Sequence, residues 1–159
     1  NGYRVYKIKE GRHRSNTAYC TTKSNYISFE AIFDESAQYT TNDPTNQYDV
    51  NKLYGLSDCG NNHTKNSIRF GWRWLNDSLE ILWYKREDGD FSFEKITTID
   101  INTSYYYTIT FTEDSYILNV DGIEVVVDRK CSETYRRYYL YPYFGGDEEA
   151  PHDITIRIK

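Results

Sequence analysis

Apolar residues fall on every second position in one segment after another of this chain, and that period admits β-strands and little else. Ile68, Phe70, Trp72 and Trp74 alternate with Arg69, Gly71 and Arg73. Ile27, Phe29, Ala31 and Phe33 follow the same rule, as do Leu79, Ile81 and Trp83, and then Tyr105, Tyr107, Ile109 and Phe111. Each run reads as a strand with one face in a core. A helix would repeat its apolar positions every three or four residues, a pattern hard to find anywhere in the chain. Seventeen Tyr and seven Phe, with many Ile, Val and Thr, favour the pleated surface for the same reason.

Turn signals separate the runs: Asn76-Asp77, Asp88-Gly89-Asp90, Asn102-Thr103 and Asp121-Gly122. The last is a strong hairpin signal, because a type I′ turn needs positive φ at both central residues and Asp-Gly adopts it at little cost. The polar stretch from Gln38 to Val50 is the longest connection, and a loop of that length on a rigid scaffold is often a binding element. A period-two strand, Ile154 to Ile158, closes the chain after a double glycine and an acidic turn. No repeat and no shift of composition marks a second unit, so residues 1–159 are expected to form one domain, an all-β, two-sheet antiparallel β-sandwich.

A formal charge of -5 with both signs interspersed argues against a nucleic-acid partner, which would ask for a basic stripe. No segment approaches the ~18 consecutive apolar residues of a membrane helix, so no membrane span is expected. The sequence contains no Met, which fits a processed secreted protein or a domain of something longer; a secreted or cell-surface location is the expectation. Three cysteines, Cys20, Cys59 and Cys131, are too widely spaced for a metal knuckle or a redox pair. Cys59 with Cys131 is the favoured disulfide, and three reduced thiols the alternative.

Several segments together resemble the concanavalin A-like jelly roll: Gly11-Arg12-His13, Asn66 to Trp72, the Tyr116-Ile-Leu-Asn-Val-Asp-Gly122 hairpin, and the closing Tyr143-Phe-Gly-Gly to Ala150-Pro151. That superfamily includes legume-type lectins, laminin G-like modules, family 16 glycosidases and several polysaccharide lyases. The closing segment is similar to small secreted or surface bacterial sandwiches. The resemblance implies a sugar-related site on the concave sheet or its loop rim. It also implies a structural Ca²⁺ held by an acid of the last strand and one near the N-terminus, for which Asp153 and Glu10 are the matching residues; no organic cofactor is expected.

If its sheet is the concave one, the strand from Ile68 to Trp74 carries that site. Burying two arginines without partners would cost roughly several kcal/mol each, so the aromatic set points inward and Arg69 and Arg73 point out. Reckoned on a two-residue step, the arginines stand about 7 Å apart, with Gly71 leaving room for a ligand between them. Such a pair suits a uronate carboxylate or a sulfate. The alternative is that both pair with Glu80 or another acid on a neighbouring strand. Tyr84 shares the face, and His63 sits at the rim, able to bind a sugar hydroxyl or to act as a base; His13 is a further candidate on the same face.

An enzyme would ask for more. The Glu-x-Asp-x-Glu strand of a retaining glycosidase is absent, and so is a serine elbow. A jelly-roll lyase needs a carboxylate neutraliser with His or Tyr for proton transfer, and Arg69, Arg73, His63 and Tyr84 are of the right types. The expectation is a non-catalytic, lectin-like carbohydrate-binding module for an acidic glycan, with Arg69, Arg73, Tyr84 and His63 as its ligand-binding residues. The alternatives are a lyase acting on uronate polymers and an adhesion module with a protein partner, the latter favoured by a large exposed aromatic patch.

Overall fold

Two antiparallel six-stranded sheets face each other in the computed structural model, which describes residues 2–159. The strands are β1 (Arg4–Ile8), β2 (Thr21–Thr22), β3 (Tyr26–Phe33), β4 (Asn51–Ser57), β5 (Ser67–Leu75), β6 (Ser78–Glu87), β7 (Asp90–Ile99), β8 (Tyr105–Phe111), β9 (Ser115–Val120), β10 (Ile123–Asp128), β11 (Arg137–Leu140) and β12 (Ile154–Ile158). The first sheet runs β1-β12-β3-β8-β9-β10 and the second β2-β11-β4-β5-β6-β7.

Turn chemistry fixes the hairpins. Asn76-Asp77, Asp88-Gly89 and Asp121-Gly122 each place two consecutive residues at positive φ, the geometry whose twist matches that of the flanking strands. The registers that follow pair Leu75 with Ser78, Glu87 with Asp90 and Val120 with Ile123. Because the side-chain period is two, these registers decide which residues reach the core. Ile68, Phe70, Trp72, Leu79 and Ile81 of the second sheet meet Phe29, Phe33, Tyr107, Ile109 and Leu118 of the first, all buried. Phe33 and Tyr39 both pack on Trp72, so the two sheets interlock through aromatic rings. Trp74 lies partly buried against the same core, on the face expected for it.

Cys59 and Cys131 form the disulfide, and Cys20 is free and exposed. Beside the bridge, the buried Asp58 carboxylate accepts hydrogen bonds from Arg129 at 2.7 Å and 3.1 Å, from Arg137 at 3.2 Å and from the Tyr116 hydroxyl at 2.7 Å. Burial alone would raise its pKa, but the donors of Arg129 and Tyr116 and the Cys59 amide outweigh it and hold Asp58 below the ordinary carboxylate value.

The connection from Gln38 to Val50 is stitched down along its length. Tyr39 is buried against Trp72 and Phe144, Gln47 donates to the Trp74 and Tyr39 carbonyls, and Pro44–Tyr48 forms a 3-10 turn capped by Asp43. Glu148, from the acidic closing segment, accepts from the amides of Asn42 and Asp43 and from the Asn46 side chain. The stretch is therefore a fixed wall at one side of the second sheet.

Candidate functional site

The outer face of the second sheet collects cations around one phenol. Arg69 of β5 and Tyr84 of β6 are register partners, as are Lys52 of β4 and Gly71 of β5, and Ser67 and Arg86. The Lys52 Nζ lies 4.6 Å from the centre of the Tyr84 ring, the Arg69 guanidinium carbon 5.7 Å and that of Arg86 6.0 Å. Tyr143 covers Lys52 from the other side, 5.6 Å from its Nζ, and its backbone pairs with both Lys52 and Arg14.

None of these three cations forms an ion pair with a carboxylate among the described residues. Arg69 is 9 % exposed, and its Nε is buried without a hydrogen-bond partner. Lys52 is 8 % exposed, and its Nζ donates to the Gly145 carbonyl at 3.4 Å. Desolvation, reinforced by Arg86, lowers the Arg69 pKa to about 10, so the guanidinium stays charged at neutral pH. Desolvation, then Arg69 and Arg86, lower Lys52 to about 7. Aromatic faces take some of the place of counter-ions here, but a buried charge without an acid costs stability, and such costs gather where a ligand is to be bound.

His63 and Tyr138 stand at the rim beside this centre. The Tyr138 hydroxyl accepts the His63 amide and lies 3.1 Å from His63 Nδ1. Since its oxygen already accepts a proton from the amide, its own O–H is available to Nδ1. Burial, and then the field of Arg69, Arg14 and Arg86, lower the His63 pKa, which keeps the imidazole neutral at pH 7. His13 donates from Nδ1 to the Phe144 carbonyl and stacks on Tyr143, 5.4 Å between ring centres.

Of the residues singled out in the sequence, Arg69, Tyr84 and His63 come together and Arg73 does not. Arg73 and Arg69 are four residues apart on one strand, about 13 Å, where a two-residue step would give ~7 Å. Arg73 Nε bonds Glu80 at 2.8 Å and its Nη1 donates to the Tyr48 carbonyl, so it takes the alternative of a neighbouring acid while Arg69 has none. Gly71 leaves no room for a ligand either: a Cβ there would strike Val50 Cγ1, because Val50 fills that space and packs with Leu82 and Tyr84. Sequence reasoning missed Lys52, Arg86, Tyr138 and Tyr143. Lys52 sits at a bulge between Lys52 and Tyr54 that breaks the alternation of β4, and the two tyrosines are unmarked among seventeen.

Asp153 and Glu10 are adjacent, but their donors do not suit the implied Ca²⁺. Asp153 Oδ1 accepts the Glu10 amide at 2.9 Å, and Lys9 Nζ lies 3.8 Å from Oδ2. A hard cation of six to eight oxygen ligands would meet an ammonium group in that place. Asp58 lies near Cys59 and Cys131, but the two sulfurs are joined to each other and Asp58 is occupied by arginines.

No protein-family model matches the sequence, and no curated protein matches it. Solved structures do. The alginate lyase AlyC3 superposes with a TM-score of 0.68 at 11 % identity, over 99 % of this chain and 72 % of that one. The catalytic domain of an endo-1,3-β-glucanase (laminarinase) from Thermotoga petrophila RKU-1 gives 0.63 at 14 % identity, over 99 % and 75 %. The marine PL7 alginate lyase AlyA1 from Zobellia galactanivorans gives 0.56 at 12 % identity, also over 99 % and 75 %. This chain has the concanavalin A-like jelly-roll fold. At such identities the likeness is one of fold, and function has to be argued from the jelly roll's own residues. A cleft of about 680 Å³ opens elsewhere, between the sheets at the β1 side; Tyr6, Tyr54, Tyr139 and Tyr141 line it, and it holds none of the unpaired buried cations.

Proposed function

We propose that the outer face of the second sheet binds an acidic glycan, with a uronate carboxylate or a sulfate held between Arg69 and Lys52. The observation that carries this reading is the pair of buried cations flanking Tyr84 with no acid of their own. An incoming anion supplies the missing counter-charge to Arg69 and Lys52, and charge-assisted bonds in a desolvated place are strong. Its apolar surround of Tyr84 and Tyr143 suits the ring of a sugar as well as its charge. Solved structures of similar fold act on polysaccharides, and AlyC3 has been solved with dimannuronate. The disulfide fits a chain that works in an oxidising, extracellular setting.

Titration calorimetry with oligouronates and sulfated oligosaccharides tests the reading. Arg69→Ala is expected to lose ~2–5 kcal/mol of binding, as for other buried charge partners, and so at least about 30-fold in affinity. Its melting temperature should stay level or rise, because the substitution removes an unpaired buried charge. Undiminished binding by Arg69→Ala would remove the site.

A second reading, favoured by the His63–Tyr138 pair, is β-elimination on a uronate polymer at the same place. Arg69 and Lys52 would neutralise the carboxylate and acidify the C5 proton, neutral His63 or a tyrosine would take that proton, and a phenol would protonate the leaving oxygen. Ultraviolet absorbance of an unsaturated product, lost in His63→Ala with binding retained, would support catalysis; absence of product from every bound uronate polymer leaves a binding module. Hydrolysis by a carboxylate pair has no footing here, since Glu80 on this face is already paired with Arg73 and Lys95.

A further inference from the structure

The cationic centre continues onto an exposed aromatic surface that the binding reading does not use. Phe91 and Phe93 lie two apart on β7, the edge strand, and are register partners of Arg86 and Tyr84. They are 56 % and 39 % exposed, an unusual state for two phenylalanines side by side. Their rings lie within 5° of parallel at 6.2 Å, and each is nearly parallel to Tyr84, at 5.8 Å and 6.4 Å. Three rings of one orientation thus form a triangle, with Tyr84 as the corner shared with Lys52 and Arg69.

Charge accompanies the rings. The Arg86 guanidinium lies 5.2 Å from the centre of Phe91 and donates to the Gly89 carbonyl, with no carboxylate partner among the described residues. Arg73 lies 5.9 Å from Phe93 but is neutralised by Glu80. The surface therefore sets two exposed aromatic rings beside a cation without an acid, and it is continuous with a place already short of negative charge. Repeating units that each carry an apolar ring face and an anion match it better than an apolar protein surface would, because the latter would bury Arg86 unpaired.

We propose that Phe91, Phe93 and Arg86 form a second subsite for the neighbouring sugars of a polyuronate or sulfated polysaccharide, so that the protein takes a stretch of polymer rather than one terminal residue. The proposal rests on the acidic-glycan reading of Arg69 and Lys52. From β4 to β7 the face spans three strand spacings, about 14 Å, more than a single pyranose ring occupies. The C–H faces of successive rings would lie on Phe91 and Phe93, while Arg86 takes the anion of one of them. The groove would then run across the strands, between the wall of the Gln38–Val50 stretch and the rim that bears His63.

The test measures affinity against chain length, using oligouronates of two to eight units and their sulfated counterparts on the intact chain. The wild type should gain at least tenfold between dimer and hexamer. Phe91→Ala with Phe93→Ala should hold the dimer affinity within threefold and lose most of the gain with length, at an unchanged melting temperature; Arg86→Gln should lose part of it. If the wild type binds but the double variant keeps the full length dependence, or if wild-type affinity does not vary with length, the second subsite is overturned and the Arg69 centre stands. If the wild type binds no length at all, both fail together. Dimerisation of the wild type that Phe91→Ala with Phe93→Ala abolishes would assign the rings to a protein contact and overturn the proposal.

Discussion

Lys52 makes the site sensitive to pH in two opposite ways. With its folded pKa near 7 and an unfolded value of about 10.4, the unfolded chain holds a proton that the folded one has released anywhere between these limits. Stability of the free protein therefore rises with pH across that window, as the burial penalty on the ammonium is relieved. An anionic ligand needs the charged form, so affinity falls over the same window. We expect the free protein to melt higher at pH 9 than at pH 7 while oligouronate binding weakens several-fold, and Lys52→Met to flatten both trends. Parallel movement of the two, or an unchanged slope in Lys52→Met, would show that Lys52 is not the titrating group. His63 does not confuse the result, because its pKa lies below the ordinary histidine value and it is neutral throughout this range.

At the scale of elements, the ends of four strands meet at Asp58. It follows β4, accepts from Tyr116 of β9 and Arg137 of β11, and is gripped by Arg129 just beyond β10. The adjacent disulfide closes a 72-residue separation, which on chain-entropy arguments stabilises by about 4 kcal/mol. The loop that carries His63 and the segment that carries Tyr138 are thus both tethered here, and the placing of the rim pair depends on this buried cluster. Asp58→Asn leaves Arg129 and Arg137 without their counter-charge and is expected to cost ~3–5 kcal/mol, a fall of roughly 10 °C in melting temperature. A loss below ~1 kcal/mol in chemical denaturation would mean the arginines find other partners. Stability from Asp58 is present above its unfolded pKa of about 3.9 and is lost as the pH falls toward its lower folded value, so this corner should open early in acid.

For the molecule as a whole, alternation carried the fold: once Ile68, Phe70 and Trp72 faced inward and the Asp-Gly turns set the registers, two packed sheets were the consistent outcome. The site was legible only in part, and the reasons are long-range. Arg69 and Arg73 look alike in sequence, but Glu80 comes opposite Arg73 through the β5–β6 register, and Val50 separates them from 19 residues before Arg69 in the chain. Lys52 is hidden by a bulge, and Tyr138 and Tyr143 arrive from the far end of the chain. The same arrangement governs how the molecule is made. β12 lies between β1 and β3, with Ile156 opposite Tyr6 on one side and Phe33 on the other. During synthesis β1 waits without its neighbour until β12 has left the ribosome. With so many pairings between distant parts of the chain, refolding from denaturant with the disulfide intact should take milliseconds to seconds, and stopped-flow fluorescence completing within microseconds would contradict this. Tyr143, which lies just ahead of β12, is drawn over Lys52 at the same stage, so the cationic face of the second sheet is likewise completed late.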